Sequence, residues 1–152
     1  MKVVIDTNIW ISALISKDGV CREIIRLALQ EIITPQISTT LFLEYEAVMK
    51  RKSIKKLCTL TANEQKDLFN AFLSTCQWNE IFYLWRPNLI DEGDNFLVEL
   101  AVASNTNYII TENTKDIATP ELNFEIEVIT PGEFLKRIKN EHTNTKNTRC
   151  KI

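Results

Sequence analysis

The sequence predicts an α/β domain built on a central, mainly parallel sheet, and three observations predict it. Short apolar runs of strand length alternate with amphipathic runs of helical length, the pattern of strands joined by helices. The first run, Val3-Val4-Ile5, has the composition of a buried strand. It stops at Asp6-Thr7-Asn8, so a carboxylate emerges where a strand ends and a helix begins. Ligands of open α/β sheets bind outside the carboxyl ends of the strands, which puts Asp6 at the expected site.

The elements follow in order. A strand over 2–6 leads to helices over 8–15 and 20–30, then to a second strand over 31–34. Pro35 opens a helical stretch to Lys50. Thr61-Ala-Asn-Glu64 reads as a capping box before a helix carrying Leu68, Phe69, Phe72 and Leu73. A short strand over 80–85 and a polar connection over 87–93 precede Asp94, an N-cap for the helix with Phe96, Leu97, Leu100 and Ala101. A strand over 108–111, a loop over 112–123 and a strand over 127–130 follow. Thr130-Pro-Gly-Glu133 then starts a last helix with Phe134, Leu135 and Ile138. Residues 1–138 thus form one domain, and 139–152 read as a polar, mobile tail without an apolar face.

Composition narrows the chemistry. With 152 residues, 45% hydrophobic and 25% charged, the chain can bury one sizeable core. A net charge of -2, from 18 basic and 20 acidic residues, leaves any nucleic-acid partner to local clustering. Three glycines, Gly19, Gly93 and Gly132, exclude glycine-rich phosphate or dinucleotide loops. The four cysteines are scattered and His142 is the only histidine, so a His/Cys zinc site is excluded and no serine has a histidine partner. No apolar run has the length of a membrane span; the expectation is a cytoplasmic protein with reduced thiols.

What remains is acidic. Glu44 falls on the face marked by Ile37, Leu41 and Val48, where an unpaired carboxylate is costly to bury, whereas Glu46 lies on another face. Asp94, with Asp91 three residues before it, begins a helix and can serve simply as a cap worth about 1 kcal/mol. The loop Thr111-Glu-Asn113-Thr-Lys-Asp116 delivers oxygen ligands to the same sheet edge as Asp6. Carboxylates gathered there repel one another unless a cation neutralises them. Oxygen ligands favour Mg2+ or Mn2+, which suit phosphodiester hydrolysis without a histidine. Thr7 and Asn8 can cap the first helix or orient Asp6, and Trp10 reads as core packing.

These residues resemble the PIN-domain family of metal-dependent ribonucleases, which includes the VapC-like toxins of prokaryotic toxin-antitoxin pairs. The resemblance spans residues 1–138 and rests on Val-Val-Ile-Asp6-Thr-Asn8, on Glu44, on Asp91-Glu-Gly-Asp94-Asn-Phe-Leu-Val-Glu-Leu-Ala101 and on Tyr-Ile-Ile-Thr111-Glu-Asn113-Thr-Lys-Asp116. It implies a three-layer α/β/α fold in which Asp6, Glu44, Asp94 and an acid of the last loop hold Mg2+ or Mn2+ for cleavage of single-stranded RNA. Many members have an Asp where this chain has Asn113; Asp116 matches a variant form of the motif, so Asp116 is assigned as the acid and Asn113 as a neutral support. Thr7, Asn8, Asp91 and Thr111 are supporting residues. The family also implies a homodimer and a small antitoxin protein as partners. A catalytically inert RNA-binding or partner-binding module of the same fold is the alternative.

One basic cluster stands out: Lys50, Arg51, Lys52, Lys55 and Lys56, five basic residues in seven positions directly after the Glu44 helix. Such a cluster suits RNA phosphates, or equally a helix C-terminus complementing its dipole.

Overall fold

The computed structural model describes residues 1–81, 95–117 and 126–149. Its elements are β1 (Lys2–Ile5), α1 (Thr7–Ile15), α2 (Val20–Leu29), β2 (Thr34–Ile37), α3 (Thr39–Met49), α4 (Lys52–Leu57), α5 (Ala62–Thr75), β3 (Gln77–Trp78), α6 (Asn95–Ala103), β4 (Tyr108–Ile110), α7 (Thr114–Ile117), β5 (Glu127–Ile129) and α8 (Pro131–Arg149). The strands form one sheet in the order β3-β2-β1-β4-β5, and every described pairing is parallel. Helices cover both faces, giving the expected three-layer α/β/α domain. That cover is why Val3, Val4 and Ile5 are all buried without the alternation of a one-sided strand.

The second strand differs from its expected place. Residues 31–33 are used to end α2, by a paired motif in which the Glu31 N–H donates to the Ala28 carbonyl and the Ile32 N–H to the Leu27 carbonyl, each at 3.0 Å. This turn needs a left-handed residue, and Glu31 takes it with φ 60°. Strand β2 therefore starts at Thr34 and contains Pro35, a residue that local preference alone places at a helix start. The Thr34 N–H donates to the Met1 carbonyl at 2.8 Å, so the next amide position faces away from β1. Pairing with β3 begins only at Gln36, so the missing N–H of Pro35 meets no partner strand. Helix α3 then begins at Thr39, with the Ser38 hydroxyl accepting from the Leu41 N–H at 3.3 Å.

Other sequence signals are realised directly. Thr61 and Glu64 form both halves of a capping box on α5. Trp10 is fully buried and stacks on Phe72 with ring centroids 5.0 Å apart, beside Phe69 and Tyr45. Of the strand expected over 80–85, residues 82–85 lie outside the described residues, and β3 sits earlier, at Gln77–Trp78. The polar segment expected to be a tail continues α8 as far as Arg149. Phe134 and Ile138 anchor the first turns in the core, and no Pro or Gly follows to break the helix once it is nucleated.

Among the described residues no helix is long and apolar enough to cross a membrane. Cys21, Cys58 and Cys76 are free thiols.

Candidate functional site

The chain runs outward from β1 to β2 and β3, then returns to place β4 on the other side of β1. This reversal makes the carboxyl ends of β1 and β4 the topological switch point, where the flanking connections diverge and leave a crevice. Asp6 and Thr111 are the first residues beyond those two ends. The Asp6 N–H donates to the Ile110 carbonyl and the Thr111 N–H to the Ile129 carbonyl, both at 3.0 Å, so the sheet ladder itself fixes their backbones side by side.

Their side chains meet. The Thr111 hydroxyl donates to Asp6 Oδ2 at 2.6 Å, and the Asn113 N–H donates to that same hydroxyl oxygen at 3.1 Å, which orients it. Asp6 is only 6% exposed. Burial pushes its carboxyl above the ordinary 3.8, the Thr111 bond and the nearby N–H groups of Thr7 and Asn8 oppose the rise, and the charge of Glu112 adds to it. Asp6 occupies the N-cap position of α1 yet makes no side-chain cap hydrogen bond. Thr7 and Asn8 are the first two helical residues and do not cap either. The Asn8 Oδ1 atom is instead buried with no hydrogen-bond partner among the described residues.

This donor set fits a hard cation. The described ion pairs are Arg26 with Glu23 and Arg137 with Glu127, so among the described residues no base neutralises Asp6. The buried Asp6 carboxylate, and the Asn8 amide oxygen two residues on that has no partner among the described residues, are oxygen ligands of the type Mg2+ and Mn2+ take. Among the described residues no three His, Cys, Asp or Glu side chains converge on one point. Asp91 and Asp94 lie outside the described residues.

The remaining candidates are spread around this centre. Glu44 is exposed on α3 and makes no hydrogen bond or ion pair among the described residues. The face assigned to it from the sequence included Ile37, which belongs to β2, and in the observed helix Leu41, Tyr45 and Val48 face inward. Asp116 is half-buried in α7, where its N–H donates to the Asn113 carbonyl at 3.2 Å, and Asn113 itself is exposed. Lys50, Arg51, Lys52, Lys55 and Lys56 are all exposed where α3 meets α4.

Two contributors are not apparent from the sequence pattern. Tyr45 is buried, and its hydroxyl donates to the Ile5 carbonyl at 2.5 Å, immediately before Asp6. Its signal is present, since Tyr45 lies four residues after Leu41 and three before Val48, but a helix begun at Pro35 hides it. The second is the pair Cys21 and Glu112, whose Sγ and Oε1 atoms lie 3.6 Å apart beside the site. Burial and the neighbouring Glu112 push the Cys21 thiol up to about 11, so it is protonated and donates. A lone cysteine on α2 carries no sequence signal for such a pairing.

Among solved structures, the fold is similar to a chain of VapBC2 from Rickettsia felis, determined bound to a DNA fragment from their promoter. The TM-score is 0.56 and the identity 18%, over 84% of this chain and 98% of that one, a likeness of fold. No curated protein matches the sequence. The family model described as PIN domain matches residues 2–115, three quarters of the chain and both strands that flank Asp6. The chain belongs to the PIN-domain family, whose members are generally nucleases that use divalent metals.

Proposed function

We propose that this protein is a divalent-metal-dependent endoribonuclease that hydrolyses single-stranded RNA phosphodiesters as the toxin of a toxin-antitoxin pair. The observation that carries the reading is Asp6: a buried carboxylate at the switch point with, among the described residues, neither a basic partner of its own nor a hydrogen-bond partner for the Asn8 Oδ1 atom two residues on. In this reading Asp6, Glu44, Asp94 and Asp116 hold Mg2+ or Mn2+, and Thr7, Asn8, Asp91, Thr111 and Asn113 support them. A bound cation of this kind supplies positive charge for the phosphoryl oxygens and a lowered pKa for water.

The chain's own residues do the positioning. Thr111 fixes Oδ2 of Asp6, and Tyr45 holds the strand end from which Asp6 projects. The lysines and arginine between α3 and α4 attract the RNA backbone irrespective of sequence. The likeness to a chain of VapBC2 supports a small antitoxin as partner. In this reading the chain acts as a homodimer in the cytoplasm, as the family resemblance implies.

The test is cleavage of single-stranded RNA by the purified chain with Mn2+, which Asp6→Asn abolishes while circular dichroism stays unchanged. Equal cleavage by the variant sinks the proposal. The exposure of Glu44 favours one second reading, a metal-free PIN-fold binding module. Calorimetric titration with Mn2+ separates the two, since an inert module gives no binding that depends on Asp6.

A further inference from the structure

The groove between α3 and α5 takes no part in the Asp6 site. Its volume is about 330 Å³, and Phe42, Met49, Phe69 and Leu73 give it an apolar side that continues into the core. Helical spacing builds it. Phe42, Glu46 and Met49 fall four and three residues apart on α3, and Gln65, Phe69 and Leu73 four apart on α5, so each helix presents one stripe. The Phe42 and Phe69 rings join the two stripes, stacked with 12° between their planes and centroids 5.9 Å apart.

Charge is arranged around this apolar surface. Lys50 at the end of α3, Lys55 on α4 and Lys66 on α5 border the groove, all exposed and none in an ion pair among the described residues. A single carboxylate stands among them. Glu46 is half-buried in the groove wall and has no hydrogen bond or ion pair among the described residues, although a carboxylate set among apolar side chains calls for a donor. Gln65, only 7% exposed, also lines the groove; its Nε2 donates to the Leu60 carbonyl at 3.0 Å, and its Oε1 accepts nothing among the described residues.

These features fit one nucleotide of a single strand. A cleft at the lower end of the size range of small-ligand pockets, with aromatic walls, suits one planar ring system, and the lysines around it suit the phosphates on either side. Glu46 decides which part enters. A carboxylate repels phosphate and the side chains of an acidic peptide, but it accepts N–H groups. Guanine presents two adjacent N–H donors on its Watson–Crick edge, which match the two oxygens of one carboxylate. Outside the groove Trp78, 52% exposed, packs on Phe42 with centroids 5.5 Å apart and leaves an indole on which a neighbouring base can stack.

We propose that the groove between α3 and α5 is a subsite for single-stranded RNA that takes one unpaired guanine, with Glu46 reading its Watson–Crick edge and Lys50, Lys55 and Lys66 holding the flanking phosphates. The proposal rests on the ribonuclease reading above and adds a sequence preference to it.

The experiment is fluorescence anisotropy of the purified full chain with short adenosine strands that carry guanosine or inosine at one central position, in a chelator so that no strand is cut. The parent is expected to bind the guanosine strand about tenfold more tightly than the inosine strand, which lacks one of the two donors. Glu46→Gln should bring the two strands level. Phe42→Leu, which keeps an apolar side chain but loses the ring, should weaken the guanosine strand several-fold, with circular dichroism as the control for folding. A parent without preference for guanosine over inosine, or a preference that survives in Glu46→Gln, overturns the proposal. So does a polyglutamate peptide that binds the parent and is released by Phe42→Leu, since the groove would then dock protein. Cleavage separates the two levels: if the parent cuts RNA with Mn2+ in an Asp6-dependent way but shows no guanosine preference, only the subsite fails. If the parent neither binds nor cuts any strand, the ribonuclease reading fails with it.

Discussion

Tyr45 and Ile5, forty residues apart, are joined by a hydrogen bond from the phenol to the strand carbonyl at 2.5 Å. The bond fills a gap in the sheet. The Asp6 N–H reaches β4, so the Ile5 carbonyl, on the alternate side, points toward β2. Registered pairing of β1 with β2 ends at Val3 and Pro35, which leaves that carbonyl without a strand partner. Tyr45→Phe keeps the ring packing against Trp10 and Phe72 but strands a buried acceptor. The expected cost is about 1–3 kcal/mol, measured by urea denaturation. An unchanged midpoint would mean that the carbonyl finds another donor.

The raised pKa of Asp6 has a definite consequence for the metal-free protein. A carboxyl whose folded pKa lies above its unfolded value favours the folded state below the unfolded pKa and loses that contribution as pH rises through the folded one. Above its ordinary 3.8, therefore, ionisation of Asp6 works against folding. Asp6→Asn should raise the thermal midpoint of the metal-free protein at neutral pH and remove part of the fall between acid and neutral pH. Each unit of elevation corresponds to about 1.4 kcal/mol. Scanning calorimetry across pH in a chelator checks this, and a lower midpoint in the variant would show that the charged form is already compensated.

Glu44 separates a ligand from a surface charge. It is exposed and unpaired among the described residues, so Glu44→Ala should change stability by only about 0.5 kcal/mol either way. If it holds a cation as proposed, the same substitution reduces Mn2+-dependent RNA cleavage by roughly a hundredfold, about 3 kcal/mol of transition-state stabilisation. Full activity in Glu44→Ala would leave it a solvated side chain.

Glu31 is strained for a reason visible in the backbone. A left-handed non-glycine residue costs about 1–2 kcal/mol, and the turn after α2 demands that conformation. Glu31→Gly should therefore stabilise the fold by up to about 1 kcal/mol, the remainder being offset by the freedom glycine gains when unfolded. Chemical denaturation reads the sign directly.

These positions also explain how much of the molecule is legible in its sequence. The parallel sheet, the Asp6 strand end and the Thr61 capping box are local patterns: apolar runs, a junction and a four-residue motif. The start of helix α3 is not, because Pro35 is a helix-start residue by local preference, and what makes it acceptable in β2 is the shortness of β3, forty residues later. A helix begun at Pro35 moves the inward position from Tyr45 to Glu44. The Thr111 to Asp6 bond is half legible, as two polar residues at strand ends. Pairings such as Cys21 with Glu112 join residues ninety-one positions apart and leave no trace in spacing or composition.

The basic cluster offers a test independent of the metal. Ile54 is buried and anchors α4, while the five basic side chains around it are exposed, so their charges can be removed without touching the core. Lys50 and Lys55 also border a groove of about 330 Å³ between α3 and α5, where Lys66 adds a third positive charge. Each phosphate of a single strand that is no longer neutralised should lower the slope of log affinity against log salt by about 0.7. Replacing Lys50, Lys55 and Lys56 by Gln is therefore expected to weaken binding of the catalytically silent Asp6→Asn chain to single-stranded RNA, and to flatten its salt dependence alike for oligonucleotides of different sequence. Fluorescence anisotropy over a series of salt concentrations reads both. An unchanged slope would assign the cluster to the α3 C-terminus, where Lys50 already forms the cap, and the RNA path would have to run elsewhere along the sheet edge.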